Sequence, residues 1–135
     1  MKQVFAVIAL LAGVLLGAPT ASALTVMTRP DANENAGLEV DVVFIYASEA
    51  ADQLTQISSA EDWFAEKQQL MDAYPGMFEV VPLQIPPSMQ FRVPLPYRAN
   101  RAITVLLFAH YQTPGEHRIE IGLDDAITFG RDDIE

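Results

Sequence analysis

Alternation of apolar and polar residues predicts that most of the chain forms short β-strands. The clearest strand is 38–46 (LEVDVVFIY), and one face of it carries only large apolar side chains: Leu38, Val40, Val42, Phe44 and Tyr46. On the opposite face, Glu39 and Asp41 predict exposure to water near the start of the strand. Val43 and Ile45 predict that this face becomes buried further along, so that the strand has a core on both sides.

Six other segments have strand character: 24–28, 79–83, 90–95, 102–111, 117–123 and 126–129. Residues 102–111 (AITVLLFAHY) are apolar on both faces, which predicts a central strand. Pro94 and Pro96 lack the N–H that a strand donates to its neighbour, so residues 90–95 are expected at a sheet edge.

Helical periodicity replaces alternation around residues 49–74. Ala50, Leu54 and Ile57 predict one short helix, and Ser58 with Glu61 forms a capping-box pattern for a second. The apolar stripe of the second helix contains Ala60, Trp63, Phe64, Leu70, Met71 and Tyr74. Trp63 and Phe64 have two interpretations, core packing or a hot spot for a partner protein.

About seven strands and one helical excursion predict a mainly β protein, a β-sandwich with a helical insertion. A parallel βαβ arrangement is less favoured, because only one connection contains a helix. The length of 135 residues allows one domain, which we assign to residues 24–135.

Residues 1–23 have the pattern of a cleaved secretory signal peptide. Lys2 precedes an apolar run at 4–16, and Ala21-Ser22-Ala23 supplies the small residues of a cleavage site before Leu24. The alternative is a retained membrane anchor, but the run is shorter than the roughly 20 residues that span a bilayer. The mature protein is therefore expected outside the cytoplasm, in the periplasm.

The charge and the lack of cysteine exclude several functions. A net charge of −10 opposes binding to nucleic acid. Without cysteine there is no disulfide, no Cys-ligated metal and no Cys nucleophile. The motifs G-x-S-x-G and H-E-x-x-H and a Gly-rich phosphate loop are missing as well, so we expect neither an enzyme nor a cofactor.

Two histidines are the only candidate metal ligands with an imidazole. His110 and His117 flank a predicted hairpin turn, and Glu116 or Glu120 could serve as a third ligand for zinc or copper. The other interpretation is a surface or half-buried pair near a hairpin end. Residues 31–37 (DANENAG) begin like a calcium loop, but Ala36 replaces the required glycine.

The only basic cluster consists of Arg92, Arg98 and Arg101, which flank Tyr97. It could receive an acidic partner, or it could form the polar outer face of an edge strand and its loop.

The order of these features resembles the TssJ family, the small periplasmic component of type VI secretion membrane complexes. The resemblance covers nearly the whole of residues 24–135. Its motifs are an Asn-containing loop ending at Gly37, a Val-rich strand at 40–46, the pair Trp63-Phe64 followed by Leu70, a Pro-containing turn at 85–88 and an apolar strand ending in Tyr111.

The resemblance implies a transthyretin-like or immunoglobulin-like β-sandwich that is not an enzyme. It implies docking onto the periplasmic domain of the inner-membrane protein TssM through a loop between early strands. By position that loop is Pro30 to Gly37, and its candidate contacts are Asp31, Asn33, Glu34 and Asn35.

One feature departs from the family, whose members usually carry a lipid on a cysteine directly after the signal. Leu24 follows Ala23 here, and the chain has no cysteine, so no lipid anchor is expected. Two hypotheses result: an adaptor of a type VI-like secretion complex, or a periplasmic sandwich module that binds a small ligand or a metal through His110 and His117.

Overall fold

A computed structural model describes residues 23–135, so the predicted signal peptide lies outside the described residues except for Ala23. In chain order its elements are β1 (Thr25–Thr28), β2 (Leu38–Ile45), α1 (Ser48–Leu54), α2 (Ala60–Ala73), β3 (Phe78–Ile85), β4 (Gln90–Arg92), β5 (Thr104–His110), β6 (Arg118–Glu120) and β7 (Ala126–Phe129). The prediction of a mainly β chain with one helical insertion is confirmed.

The strands form two sheets, one in the order β4-β1-β7 and one in the order β3-β2-β5-β6. Strands β1 and β7 are parallel, and all other neighbours are antiparallel. Strands β2 and β5 occupy the centre of the larger sheet, as their apolar sequences predict. Strand β4 lies at an edge, as predicted, but it ends at Arg92, before Pro94 and Pro96.

The main core lies between the two sheets. Alternate residues of β2 point into it, and they meet Leu24 and Val26 of the smaller sheet together with Phe129 of β7. Val105, Leu107 and Ala109 of β5 complete this layer. The even-numbered face of β2 is therefore buried, as predicted.

A second core covers the other face of β2 and β5. Val43, Ile45, Leu106 and Phe108 pack there against the helices, and Trp63 is fully buried among them. The Trp63 ring stacks on Phe108 at a centroid distance of 5.0 Å. Core packing is therefore the correct interpretation of Trp63, which is not available to a partner.

Two details of α2 differ from the sequence interpretation. The helix is capped by Ser59 rather than Ser58, since the Ser59 hydroxyl accepts the N–H of Asp62 at 3.1 Å. Met71 was assigned to the apolar stripe, but 42% of it is exposed, because the sheet contacts mainly the first half of the helix.

Asp41 was expected to face water, and this prediction is wrong. Its side chain is fully buried under α2, where Oδ2 accepts hydrogen bonds from Trp63 Nε1 and Lys67 Nζ, both at 2.9 Å. The acid fits this position because α2 brings a donor and a compensating charge to it. Oδ1 has no hydrogen-bond partner among the described residues, so the carboxylate depends on these two contacts.

We expect Lys67→Met to destabilise the fold by about 2 kcal/mol, because it leaves a buried carboxylate without its counter-charge. The double variant Asp41→Leu/Lys67→Met should recover much of that loss, since it removes both charges. Urea unfolding monitored by circular dichroism measures the free energy of unfolding of both variants, with the exposed substitution Gln69→Met as the control. Equal stability of Lys67→Met and Gln69→Met would contradict the role of the ion pair.

Candidate functional site

The loop between β1 and β2, residues 30–37, has an unusual backbone. Asn33, Glu34 and Asn35 follow one another in the left-handed region, with φ angles of 48°, 54° and 70°. Asparagine tolerates this region, whereas glutamate rarely adopts it. Three consecutive residues of this kind store strain that the surrounding contacts must offset, and such strain is frequent at recognition sites.

Asn33 supplies those contacts. Its side-chain Nδ2 donates to the carbonyl of Gly37 at 3.0 Å, and its Oδ1 accepts the N–H of Gln112 at 2.8 Å. Only 3% of Asn33 is exposed. Asn33 was proposed as a direct partner contact, but the structure buries it, so it positions the loop instead.

Two of the four proposed contact residues are well exposed. Glu34 and Asn35 point into solvent at the tip of the loop, and Asp31 is half-buried at its start. The Glu34 carboxylate lies 3.6 Å from Arg131 Nη2, a contact between exposed groups that stabilises the loop only slightly.

His117 connects the neighbouring loop to the C-terminal segment. Its Nδ1 lies 2.8 Å from a carboxylate oxygen of Asp133, and its Nε2 lies 2.8 Å from the carbonyl of Thr113. Its ring stacks on Tyr111, whose hydroxyl donates to the carbonyl of Gly130 at 3.1 Å. Because Gly130 also accepts the N–H of Asn33, both loops are joined to one C-terminal segment.

His110 belongs to a different set of contacts. It is exposed, its Nδ1 lies 3.3 Å from Glu39 Oε1, and its ring stacks on Phe64 of α2 at 4.6 Å. Because Phe108 pairs with Arg118, residue 117 falls opposite residue 109 and not opposite His110. The alternative of a metal-binding pair is therefore not supported, and no group of three potential metal ligands occurs within residues 23–135.

Two adjoining depressions lie between these loops, with volumes of about 420 and 330 Å³. Both are lined by His110, Tyr111 and Gln112, and they reach from the Asn33 loop to the first turn of α2. We call these two depressions together the recess, and we call the end of the sandwich formed by residues 30–37, 110–117 and 130–135 the recognition end.

The arginine cluster lies at the opposite end of β2. Arg98 lies over the Tyr46 ring at 4.0 Å and donates to the carbonyl of Gly76, while Arg92 and Arg101 are exposed. Burial and the hydrogen bond to Glu79 raise the pKa of Tyr46 to about 12. Part of the basic cluster is thus used within the fold, and it does not join the recognition end.

Sequence reasoning missed the residues that build the recognition end. Gln112 and Gly130 act through backbone groups, which have no signature in the side-chain pattern. Asn33 and Gln112 are 79 positions apart, so their contact depends on the pairing of β2 with β5. The hairpin turn predicted between His110 and His117 was the local sequence signal for a loop there.

These observations define a β-sandwich with a helical layer and an ordered recognition end.

The chain is similar in fold to several solved structures. The type VI secretion lipoprotein TssJ1 from Pseudomonas aeruginosa matches with a TM-score of 0.57 and 14% identity, over 84% of this chain and 91% of that one. Serratia marcescens Lip, a membrane-bound component of the type VI secretion system, matches with a TM-score of 0.55 and 12% identity, over 84% of this chain and 94% of that one. A type VI membrane complex matches with 0.55 and 15% identity over the same shares.

The fold is therefore TssJ-like, as the resemblance implied. No protein-family model and no curated protein matches the sequence. Across residues 23–135, neither helix has the length and hydrophobicity required to span a bilayer.

The Asn33 side chain should stabilise the fold more than its exposed neighbour does. We expect Asn33→Ala to cost about 2 kcal/mol more than Asn35→Ala, because both residues have positive φ but only Asn33 makes buried hydrogen bonds. Chemical denaturation measures the difference. Equal costs would show that the contacts to Gly37 and Gln112 do not stabilise the loop.

Alkaline pH should loosen the recognition end through Tyr111. Burial, followed by the nearby charge of Asp133, raises the pKa of Tyr111 above its ordinary value of 10.0. The folded state therefore holds the phenolic proton of Tyr111 more strongly than the unfolded state does. The stability that neutral Tyr111 contributes is fully present below pH 10 and is lost as the pH rises above 10.

The measurement is the free energy of unfolding as a function of pH for wild type, Tyr111→Phe and the fully exposed control Tyr97→Phe. Above pH 10 the wild type and the control should lose stability more steeply than Tyr111→Phe. Identical pH profiles for all three proteins would contradict this assignment.

Proposed function

We propose that this protein is a non-enzymatic periplasmic adaptor of a type VI-like secretion membrane complex. In this proposal it docks through its recognition end onto the periplasmic domain of a TssM-like inner-membrane protein. The observation that carries the proposal is the ordered, strained loop at 30–37, which presents Glu34 and Asn35 to solvent. The TssJ-like fold supports it, because two structures with this fold are type VI secretion components.

The order of the loop favours recognition. A loop that is already fixed loses little conformational entropy when it binds, so more of the contact energy appears as affinity. Asn33 fixes the loop from below through Gln112 and Gly37, which leaves the tip residues free for a partner. The strain of the left-handed residues is then tolerated because it gives a preformed contact surface.

Export is part of the proposal. Cleavage of residues 1–23 would release a mature chain into the periplasm, with Leu24 as its first residue. Since the chain has no cysteine, attachment to a membrane by a thioether-linked lipid is not possible. We therefore propose that the protein joins the membrane complex through its protein partner alone.

Replacement of Glu34 by glycine separates stability from binding. Glu34→Gly should stabilise the fold by up to about 1 kcal/mol, because glycine adopts a φ of 54° without strain. It should weaken binding to the partner's periplasmic domain at least about fivefold, because a contact side chain is lost. Calorimetry measures binding, and chemical denaturation measures stability.

The matched control is Ser88→Gly, which relieves a φ of 61° outside residues 30–37. It should gain stability in the same way and bind as wild type does. Unchanged binding by Glu34→Gly would show that the Glu34 side chain does not contact the partner. Failure of the wild-type protein to bind any TssM-like periplasmic domain would overturn the proposed function itself.

A further inference from the structure

The recess at the recognition end is lined by acidic and uncharged residues. Glu39 lines one of its depressions and Glu61 lines the other, and within residues 23–135 no lysine or arginine lines either. The remaining lining residues are the two histidines and uncharged residues, among them Asn33, Gln84, Tyr111, Gln112 and Thr113. Its charge is therefore complementary to a cation.

Most other charges at this end are already paired within the protein. Asp133 contacts His117, Glu34 contacts Arg131, and Glu135 forms a 2.7 Å pair with Arg29. Glu39 has only the imidazole of His110 as a partner, and the Glu61 carboxylate makes no ion pair within the described residues. These two carboxylates are consequently available to an external cation.

The shape of the recess indicates an elongated occupant. Its two depressions share His110, Tyr111 and Gln112 as a common wall, and both open to solvent. Each volume is within the range of about 300–1,000 Å³ that is typical of ligand pockets, but neither encloses its contents. An extended polypeptide laid across the shared residues could place side chains in both.

A stacked pair of rings includes His110, which belongs to the wall that both depressions share. The His110 ring stacks on Phe64 with an interplanar angle of 12°, and Phe64 in turn lies 5.0 Å from Lys67 Nζ. Lys67 is fixed by its ion pair with buried Asp41, so these rings have a rigid support. A planar guanidinium can stack on such a ring and form paired hydrogen bonds with a carboxylate, which a compact ammonium cannot do.

We propose that the recess binds an extended, arginine-bearing segment of the partner, with Glu39 and Glu61 as the carboxylates that receive its guanidinium groups. The inference rests on the proposed function and adds to it the chemistry of the bound segment. The loop at 30–37 then contacts the partner beside the recess, while the recess fixes the register of the segment.

The first test uses a probe and no natural partner. A capped octapeptide of alternating arginine and alanine should shift the backbone amide signals of Glu61, His110 and Gln112 in the mature chain, measured by NMR. A peptide with glutamate in place of arginine should not. Absence of shifts with the arginine peptide, or equal shifts with both peptides, would overturn the proposal.

Variants test the two carboxylates. The double substitution Glu39→Gln/Glu61→Gln should weaken binding of the arginine peptide about tenfold and reduce its salt dependence. The matched control Glu49→Gln/Asp72→Asn removes two exposed charges from the helices and should bind as wild type does. Equal weakening in both would indicate attraction by net charge alone and would overturn the assignment of the recess.

Binding of the same variants to the partner's periplasmic domain distinguishes the recess assignment from the proposed function. If wild type binds the domain and Glu39→Gln/Glu61→Gln binds it equally well, the proposed function stands and the recess assignment fails. If the arginine peptide binds in the recess but no TssM-like domain binds the protein, the recess assignment stands and the proposed function fails.

Discussion

Both faces of β2 are buried, and this determines how the other elements are arranged. One face requires the smaller sheet, which supplies the sandwich core, and the other requires the helical layer above Val43 and Ile45. The helices are therefore part of the core and not an appendage. Because α2 covers this face, it also brings Lys67 and Trp63 to Asp41 and fixes the helix relative to the sheet.

The recognition end follows from this arrangement. Strands β2 and β5 pair over seven residues. The loop that precedes Leu38 and the loop that follows His110 meet at the end of this pairing. Asn33 joins the two loops through Gln112, and Phe64 on α2 lies under His110. The strained backbone of this loop is held there by hydrogen bonds within the loop, to Gly37, and to two other parts of the chain, at Gln112 and Gly130.

The sequence predicted the strands, their central or edge positions and the helical insertion, because hydrophobic periodicity and proline positions report directly on burial and pairing. The prediction that Asp41 is exposed was wrong, because a charged residue in a strand indicates exposure to water unless the residue that neutralises it is known. The sequence also paired His110 with His117, because the register of a hairpin with an irregular turn cannot be read from spacing alone. Contacts made by backbone groups, such as those of Gln112 and Gly130, could not be predicted because they do not depend on the type of side chain.

The proposed function requires that the protein bind its partner through one end of the sandwich. Hydrogen–deuterium exchange of residues 24–135, with and without the periplasmic domain of a TssM-like protein, measures which surface is covered. Binding should slow exchange in residues 31–36 and 110–116 and leave the loop around Tyr97 unchanged. Protection confined to the Tyr97 loop or to the exposed faces of the helices would contradict it.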